Sequence, residues 1–476
     1  MGMPASLQVA AAASPTAAPV TAATRRSLRV PRAWGLRPSD AYLVVFGNAA
    51  LIVAMWLRHG QFPNLAHPAA VLIAAGQIAA LLGAYCALVQ VVLMSRIPGL
   101  DQLFGVDRLA AWHRWLGFGT VTLICGHVLF TTWGYAWSDG RSIATQTWAF
   151  LTTYPYMLMA YVGTALFLLI AVVSVRAARR RISHETWHFI HLYAYLAIVL
   201  SFGHQLAAGT DFTGDPAAVA YWVALYVAAA LLVVTFRFVL PLRMALRHRL
   251  RVEAVVDEAP GVLSIYITGR DLDRLPVRAG QFFTFRFLTR GLWWRVHPFS
   301  LSAAPNGRYL RITVKQVGDF TRSLVSLRPG VRVVVEGPRG NFTAVRRRYP
   351  RALLIAGGIG ITPLRALLEE MPQRKGSIAL LYRARSWADV VFKTELDQLV
   401  AARGGAVHYI VGRRGREVHP HPLAPRFLLA AVPDLRQRDV FVCGPSDLVD
   451  DVTRSLGALS VPTSQIHSER FAFLST

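Results

Sequence analysis

Two apolar segments, each long enough to cross a bilayer and each carrying a pair of histidines, constrain this chain more than anything else in its 476 residues. The first, 109–133 (LAAWHRWLGFGTVTLICGHVLFTTW), holds His113 and His127, fourteen positions apart. At about 1.5 Å of rise and about 100° of turn per residue, these side chains sit ~21 Å apart in depth and only ~40° apart in bearing. They form a two-rung ladder on one helix face. The second segment, 186–206 (TWHFIHLYAYLAIVLSFGHQL), holds His191 and His204, thirteen positions apart. Ionisable side chains are costly in lipid and mark functional sites by default. Two helices with matched rungs can each give one ring nitrogen to each of two haem irons, stacked within a hydrocarbon core ~30 Å thick. The alternative is ordinary buried histidines hydrogen-bonded to neighbouring helices, but four at matched depths are hard to explain by packing. Gly117 and Gly119 lie between the first pair of rungs, where missing side chains let a macrocycle approach the backbone.

The second ladder is out of phase. Thirteen residues leave His204 ~140° from His191 on an ideal helix. Either a local π or 3₁₀ irregularity is needed, for instance near Gly203, or the haems are approached from different bearings. His188 and His184, one and two turns before His191, compete with it as the inner ligand. His191 fits best in depth, because its spacing differs from that of the first ladder by one residue, or ~1.5 Å.

A hydrophobic content of 54% agrees with several membrane spans. The formal charge of +25 does not point to nucleic acid, because the arginines flank apolar segments instead of forming a patch interleaved with aromatics. Three cysteines, Cys86, Cys125 and Cys443, exclude a disulfide framework and a four-cysteine iron–sulfur site.

In chain order, residues 1–38 read as a disordered tail of Ala, Ser, Thr and Pro that turns basic towards its end. Its stretch TRRSLRV (24–30) is similar to a twin-arginine export signal but reads better as a basic juxtamembrane segment. Residues 39–248 hold six apolar segments: 41–57, 69–94, 109–133, 157–175, 186–206 and 217–240, each near the ~20 residues a span needs. Arginines crowd the N-terminal flank, the second-to-third and fourth-to-fifth connections and the exit after the sixth segment. The positive-inside rule then places both termini in the cytoplasm of a cell whose inner membrane holds the chain. Both ladder helices run from inside to outside, so His113 pairs with His191 at the inner level and His127 with His204 at the outer level.

Residues 249–348 change to short alternating runs (VLSIYITG, FFTFRFL, LRITVKQV, RVVVEG) expected to form an antiparallel β-barrel. Residues 349–476 alternate strand and helix (ALLIA then TPLRALLEEM; IALLYRA then WADVVFKTELDQLVAA; VFVCG then PSDLVDDVTRSL), which predicts an α/β domain on a parallel sheet. Within it, GGIGITP follows a strand and opens a helix. Gly357, Gly358 and Gly360 let dinucleotide phosphates approach the backbone, with Thr362 expected as N-cap and Pro363 in the first turn. In the barrel, Gly318 and Thr321 lie in a turn leading into a helix start, where backbone amides can bind a diphosphate; a plain β-turn is the competing reading.

RVHPFSLS (295–302) is similar to the flavin-binding signature of the ferredoxin–NADP reductase superfamily as it stands in ferric reductases and NADPH oxidases. With the histidine ladders, GGIGITP and VCGP (442–445) in the same order, the chain resembles that superfamily from about residue 40 onward. The resemblance implies FAD, two b-type haems and NADPH, with NADH as the less favoured donor. It places Pro298, Phe299 and Ser300 against the isoalloxazine, with the Ser300 hydroxyl near flavin N5, and Arg295 and His297 towards the ribityl and phosphate part. Gly318 and Thr321 cradle the diphosphate. Cys443, followed by Gly444 and Pro445, borders the nicotinamide C4. A C-terminal aromatic, Phe471 first and Phe473 second, covers the flavin. YRARSWADVVFKTEL fits an arginine-spaced segment in which Arg383 and Arg385, with Arg413 further on, are candidates for a 2′-phosphate; a solvated basic face is the alternative.

The implied activity moves electrons from cytoplasmic NADPH through FAD and the haems to an acceptor on the far face, in contact with membrane lipid. That acceptor is a ferric chelate, dioxygen or an extracytoplasmic partner protein. Asp139, Asp211, Asp215, His59 and His67 in the outer connections could attract iron, and Ala197 and Ile198 stand where some oxidases carry an aromatic. A reading of another class is a membrane-tethered flavin sensor or scaffold without electron flow.

Overall fold

The computed structural model describes residues 37–58, 67–175, 181–182, 184–209, 212, 214–419 and 421–471. The TRRSLRV stretch, Arg176, Arg179, Arg180, His59, Asp211, Phe473 and the side chain of His184 lie outside the described residues.

Nine helices of the membrane half can be followed in order: α1 (Pro38–Arg58), α2 (Pro68–Met94), α3 (Pro98–Phe104), α4 (Val106–Ser138), α5 (Ile143–Thr153), α6 (Met157–Ser174), α7 (His184–Ala208), α8 (Pro216–Val234) and α9 (Leu240–His248). Helices α8 and α9 join through a π turn, Thr235–Val239, into one long rod. Six of these stretches are long and apolar enough to cross a membrane, as the six expected segments require. Their outward faces are apolar: Leu43, Phe46, Trp115 and Leu158 all stand exposed where lipid would cover them. The short helices α3 and α5 add to what periodicity predicts, and neither is long enough to span.

Helices α2 and α4 touch along a seam of small residues. A Cβ on Gly76 would lie 2.6 Å from Thr131 Cγ2, and one on Gly134 would lie 2.7 Å from Ile73 Cγ1. Without side chains there, the two backbones come close enough for side chains of one helix to reach carbonyls of the other.

The soluble half begins with an antiparallel barrel. Its strands are β1 (Arg251–Ala259), β2 (Val262–Thr268), β3 (Phe282–Phe287), β4 (His297–Ser300), β5 (Leu310–Lys315) and β6 (Val333–Arg339), with the short helix α10 (Asp319–Ser323) between the last two. Two three-stranded sheets, ordered β1-β2-β5 and β4-β3-β6, meet at the bridges Leu301↔Ile312 and Arg251↔Arg332, which close the ring. The alternating residues of the runs point inward, so Phe283, Phe285, Phe287, Ile265 and Ile312 form its core.

A parallel sheet ordered β11-β10-β7-β8-β9 follows, from β7 (Arg351–Gly357), β8 (Ile378–Ala384), β9 (Ala406–Val411), β10 (Arg438–Gly444) and β11 (Ile466–Arg470). Helices α11 (Ile361–Glu370), α12 (Lys393–Ala401), α13 (Pro425–Ala431) and α14 (Ser446–Ala458) accompany it. Strand β7 is buried at all but its first residue, as a central strand covered on both faces must be. Six membrane-capable helices, an antiparallel barrel and a five-stranded parallel sheet are the fold class the sequence predicts.

Candidate functional site

In the membrane half, α4 and α7 bring His113 and His191 opposite each other. The ring centroids of His113 and His191 are 5.9 Å apart with planes at 67°. Two metal–nitrogen bonds of about 2 Å plus two ring radii need roughly that separation. His191 is the histidine turned to His113, while His188 is exposed. Trp187, one turn earlier, stacks on His191 at 4.9 Å and holds its ring plane. At the other level, His204 lies within electrostatic range of His127.

The ring nitrogens show what these side chains lack. Nδ1 of His191 and His204 is buried without a hydrogen-bond partner, while the His113 ring has the backbone of Gln90 beside it. Each such group costs about 1–3 kcal/mol if left unmet. Buried histidines that turn their rings to one another across two helices fit ligands of a group set between them. His127 differs. Its Nδ1 lies 3.0 Å from the Gly76 carbonyl, which can only accept and so fixes the proton on Nδ1 and leaves the ring's lone pair on Nε2. The glycine seam explains this contact, because a side chain at Gly76 would push the carbonyl away. Gly119 has open space where a Cβ would stand.

The expected helix irregularity is not there. Helix α7 is uninterrupted α-helix across Gly203, and the π turn lies instead at Thr235–Val239 in the last span. The second ladder therefore keeps its different bearing, the other alternative the spacing left open. Ala197 is fully buried against α6, where a Cβ on Gly163 would meet its carbonyl at 3.2 Å. Of the outer-loop residues, Asp215 is engaged as the N-cap of α8, accepting from Ala217 and Ala218, and pairs with Arg58 at 2.6 Å. His67 and Asp139 are exposed.

In the barrel, HPFS forms β4 and pairs with β3, which sets Ser300 opposite Phe282 and Phe299 opposite Phe283. Ser300 is buried, and the His297 ring stacks on Phe320 at 3.7 Å. Pro298 is exposed on the same strand, at a position opposite Thr284. Arg295 lies over the Trp294 ring at 5.0 Å, and its Nε is buried without a partner, as an arginine awaiting an anion would be. At the following turn, Thr321 Oγ1 accepts from the amides of both Val317 and Gly318, 3.0 Å each. Those two amides are therefore held by the hydroxyl and are not free donors.

In the parallel-sheet domain, strand register joins two motifs far apart in sequence. Cys443 on β10 pairs with Ala356 on β7, so VCGP and GGIGITP meet at one end of the sheet. Contact is close enough that a Cβ on Gly360 would lie 2.3 Å from the Cys443 carbonyl, and one on Gly357 would lie 2.8 Å from Leu448 Cδ1. Gly358 takes φ +53° and has open space beside it, as a backbone cradle for phosphate requires. Burial, and secondly the Glu469 carboxylate, push the Cys443 thiol well above its ordinary range, so it stays protonated. Phe471 donates its backbone N–H to Gly444 O at 3.0 Å, which puts the C-terminal aromatic beside the same strand end as Cys443, Gly444 and Pro445.

Two expectations change here. Thr362 is not the N-cap: a 3₁₀ turn, Gly358–Gly360, runs straight into α11, Gly360 caps it, and the Thr362 hydroxyl donates back to Ile359 O. Pro363 does sit in the first turn. Arg383 is buried and spends its guanidinium on backbone carbonyls of Ala384, Ile410 (3.0 Å) and Gly412 (2.5 Å), binding the ends of β8 and β9 together. Arg385 and Arg413 just beyond those ends are exposed.

Sequence reading missed the network between barrel and sheet. Arg311, almost fully buried, donates to both Glu395 oxygens at 2.9 and 3.1 Å, Arg365 donates to Glu395 at 2.7 Å and also pairs with Glu369, and Glu369 accepts from the Ala304 amide at 2.8 Å. Burial raises the Glu395 carboxyl, but the two guanidinium partners more than reverse this and hold it below its usual range. Arginine within the strand run LRITVKQV was the available signal, since a charge on a core strand needs a partner.

Three family models match in order: a ferric reductase like transmembrane component over 79–202, a FAD-binding domain over 258–343 and an oxidoreductase NAD-binding domain over 354–454. Among curated proteins, a flavohemoprotein of Vibrio cholerae is 31% identical over 41% of this chain and 52% of its own length. The NADH oxidoreductase HCR of Escherichia coli is 29% identical over 47% and 67%, and an NADPH oxidoreductase of Mycobacterium tuberculosis is 30% identical over 50% and 63%. The chain thus spans between about half and two thirds of the length of these relatives. Among solved structures, the FAD/NAD-binding domain of a nitric oxide dioxygenase from Vibrio cholerae matches 47% of this chain and 99% of that domain, with 26% identity and a TM-score of 0.39.

Proposed function

Taking as premise that the chain has the ferric reductase and NADPH oxidase-type architecture, a membrane component fused to FAD- and NAD(P)-binding domains, and is an NAD(P)H-dependent oxidoreductase, we propose that it carries electrons across the membrane. They travel from NADPH on the cytoplasmic side to an acceptor on the opposite face. When bound, FAD takes a two-electron hydride and releases single electrons, which two haems carry through the lipid.

The chain's own residues supply the rest. Gly357, Gly358 and Gly360 admit the dinucleotide phosphates to the backbone, and Arg385 and Arg413 pair with the 2′-phosphate. Cys443, a protonated thiol on a buried strand end, borders the nicotinamide without competing as a nucleophile. Ser300 and Phe299 orient the isoalloxazine, Arg295 offers its unpaired Nε to the diphosphate, and Phe471 covers the ring from the strand end it is bonded to. His113 with His191 and His127 with His204 would hold the two haems at the inner and outer levels, where the haems would supply one-electron carriers within the apolar bundle.

The observation that carries this reading is the pair His113 and His191, whose ring centroids are 5.9 Å apart across two helices of an apolar bundle. NADPH oxidation by the purified chain, measured with oxygen alone and with oxygen-free ferric citrate, tests it. Faster turnover with ferric citrate assigns a ferric-chelate reductase, faster turnover with oxygen an oxidase, and no oxidation with either sinks the reading.

A further inference from the structure

The end of β6 is one place where the flavin barrel meets the membrane helices. Helix α3 and the rod α8–α9 both pack against this strand. Arg96, at the end of α2, pairs with Glu336 of β6, and Glu336 also faces Arg339 at 3.7 Å. Asn341 Nδ2 donates to the Asp101 carbonyl of α3 at 3.1 Å. Arg237, on the π turn of the last span, reaches Met94 O at 3.4 Å. Charges from α2, α3, the π turn and β6 therefore converge on one spot.

Two features set this spot apart from an ordinary surface cluster. Arg96 has φ +70°, the left-handed conformation that follows a helix C-terminus and that glycine adopts more easily. An arginine kept there against backbone preference points to work done by its side chain. The joint is also desolvated: burial first, then Arg339 and Arg237, push Arg96 down to about 9, and burial raises Asp101. Three arginines (96, 237 and 339) face two carboxylates (Asp101 and Glu336), one positive charge in excess.

The joint is wired to both electron sites. Across the sheet, Ser300 lies opposite Phe282, and Phe282 lies opposite Arg339, so two strand spacings, about 10 Å, separate the flavin serine from the joint. On the membrane side Arg96 is within electrostatic range of Tyr195, one turn beyond His191 on α7.

We propose that Arg96, Glu336 and Arg339 are positioning residues whose charge balance seats the flavin barrel on the membrane helices and so sets the approach of the flavin site to the inner histidine pair. The proposal rests on the electron path given above. Loss of Glu336 and loss of Arg96 then differ: Glu336→Gln leaves three arginines facing Asp101 alone, whereas Arg96→Gly leaves two against two and relaxes the backbone. Adding Arg96→Gly to Glu336→Gln restores the original single excess charge.

The test uses the full chain in detergent, mixed without oxygen with NADPH while flavin and haem absorbance are followed, together with hydrogen exchange of residues 98–104 and 333–339. In Glu336→Gln flavin reduction keeps its rate, haem reduction slows roughly tenfold and exchange at 98–104 rises. In the double variant both return most of the way. A role in packing alone predicts that the double is worse than either single. Unchanged exchange in Glu336→Gln, or no recovery in the double, overturns the proposal. If the unaltered chain has no haem band, the electron path falls, while the exchange arm still decides whether the joint seats the barrel.

Discussion

The two halves of the molecule prepare for their cofactors in opposite ways. In the soluble half the candidate dinucleotide surfaces are made of backbone and glycine, and the polar side chains near them are largely satisfied by their own chain: Thr321 holds two amides, Thr362 bonds Ile359, and Arg383 ties down three carbonyls. In the membrane half two of the four candidate ligands, His191 and His204, keep a buried ring nitrogen unbonded. A domain in contact with water can close its hydrogen bonds locally and open them to a ligand at small cost, because water replaces whatever is lost. A bundle in lipid has no such reserve, so unbonded nitrogens persist only where binding repays them. The soluble half is thus expected to fold without its nucleotides, whereas the membrane half depends on its prosthetic groups.

That contrast breaks first at the outer histidines. His127→Leu is expected to halve haem content while leaving flavin reduction by NADPH intact, read from haem extraction and rapid mixing; unchanged haem content would remove His127 as a ligand. Next is Gly360→Ala, whose Cβ would lie 2.3 Å from the Cys443 carbonyl. Forcing the two motifs apart should cost about 1–3 kcal/mol in denaturant unfolding of the soluble half and sharply weaken NADPH-driven flavin reduction, with haem content unaffected. A sharper comparison is between two arginines two positions apart, Arg383 and Arg385. Arg385→Ser should raise KM for NADPH by roughly tenfold with little change for NADH and none in stability. Arg383→Ala should instead lower stability for both donors alike, since its guanidinium holds the chain. The smallest effect is expected at Thr321→Val, which frees two amides and should cost about 1 kcal/mol of stability, with weaker FAD retention on dialysis.

Much of this was legible in advance, and the exceptions share a cause. Span number, the barrel, the alternating domain and the preference for His191 follow from length, period and spacing, which are local properties. Helices α3 and α5 escaped because seven and eleven residues are too short to announce themselves by hydropathy. Thr362 looked like a cap because the sequence does not reveal that a 3₁₀ turn already carries the chain into α11. Arg383 looked like a phosphate ligand because only the pairing of β8 with β9 brings the Ile410 and Gly412 carbonyls to it. The joint of Arg96, Glu336 and Arg339 has no motif at all: Arg96 meets Glu336 only because the fold brings the end of a membrane helix to a barrel strand.

The absorption spectrum of the detergent-solubilised chain, before and after anaerobic addition of NADPH, tests the central claim most directly. Two b-type haems per chain, with bands that shift to the reduced form after the flavin bleaches, are the predicted result. A chain that binds and reduces flavin yet shows no Soret band would contradict it, and would leave the four histidines as packing residues in a membrane anchor.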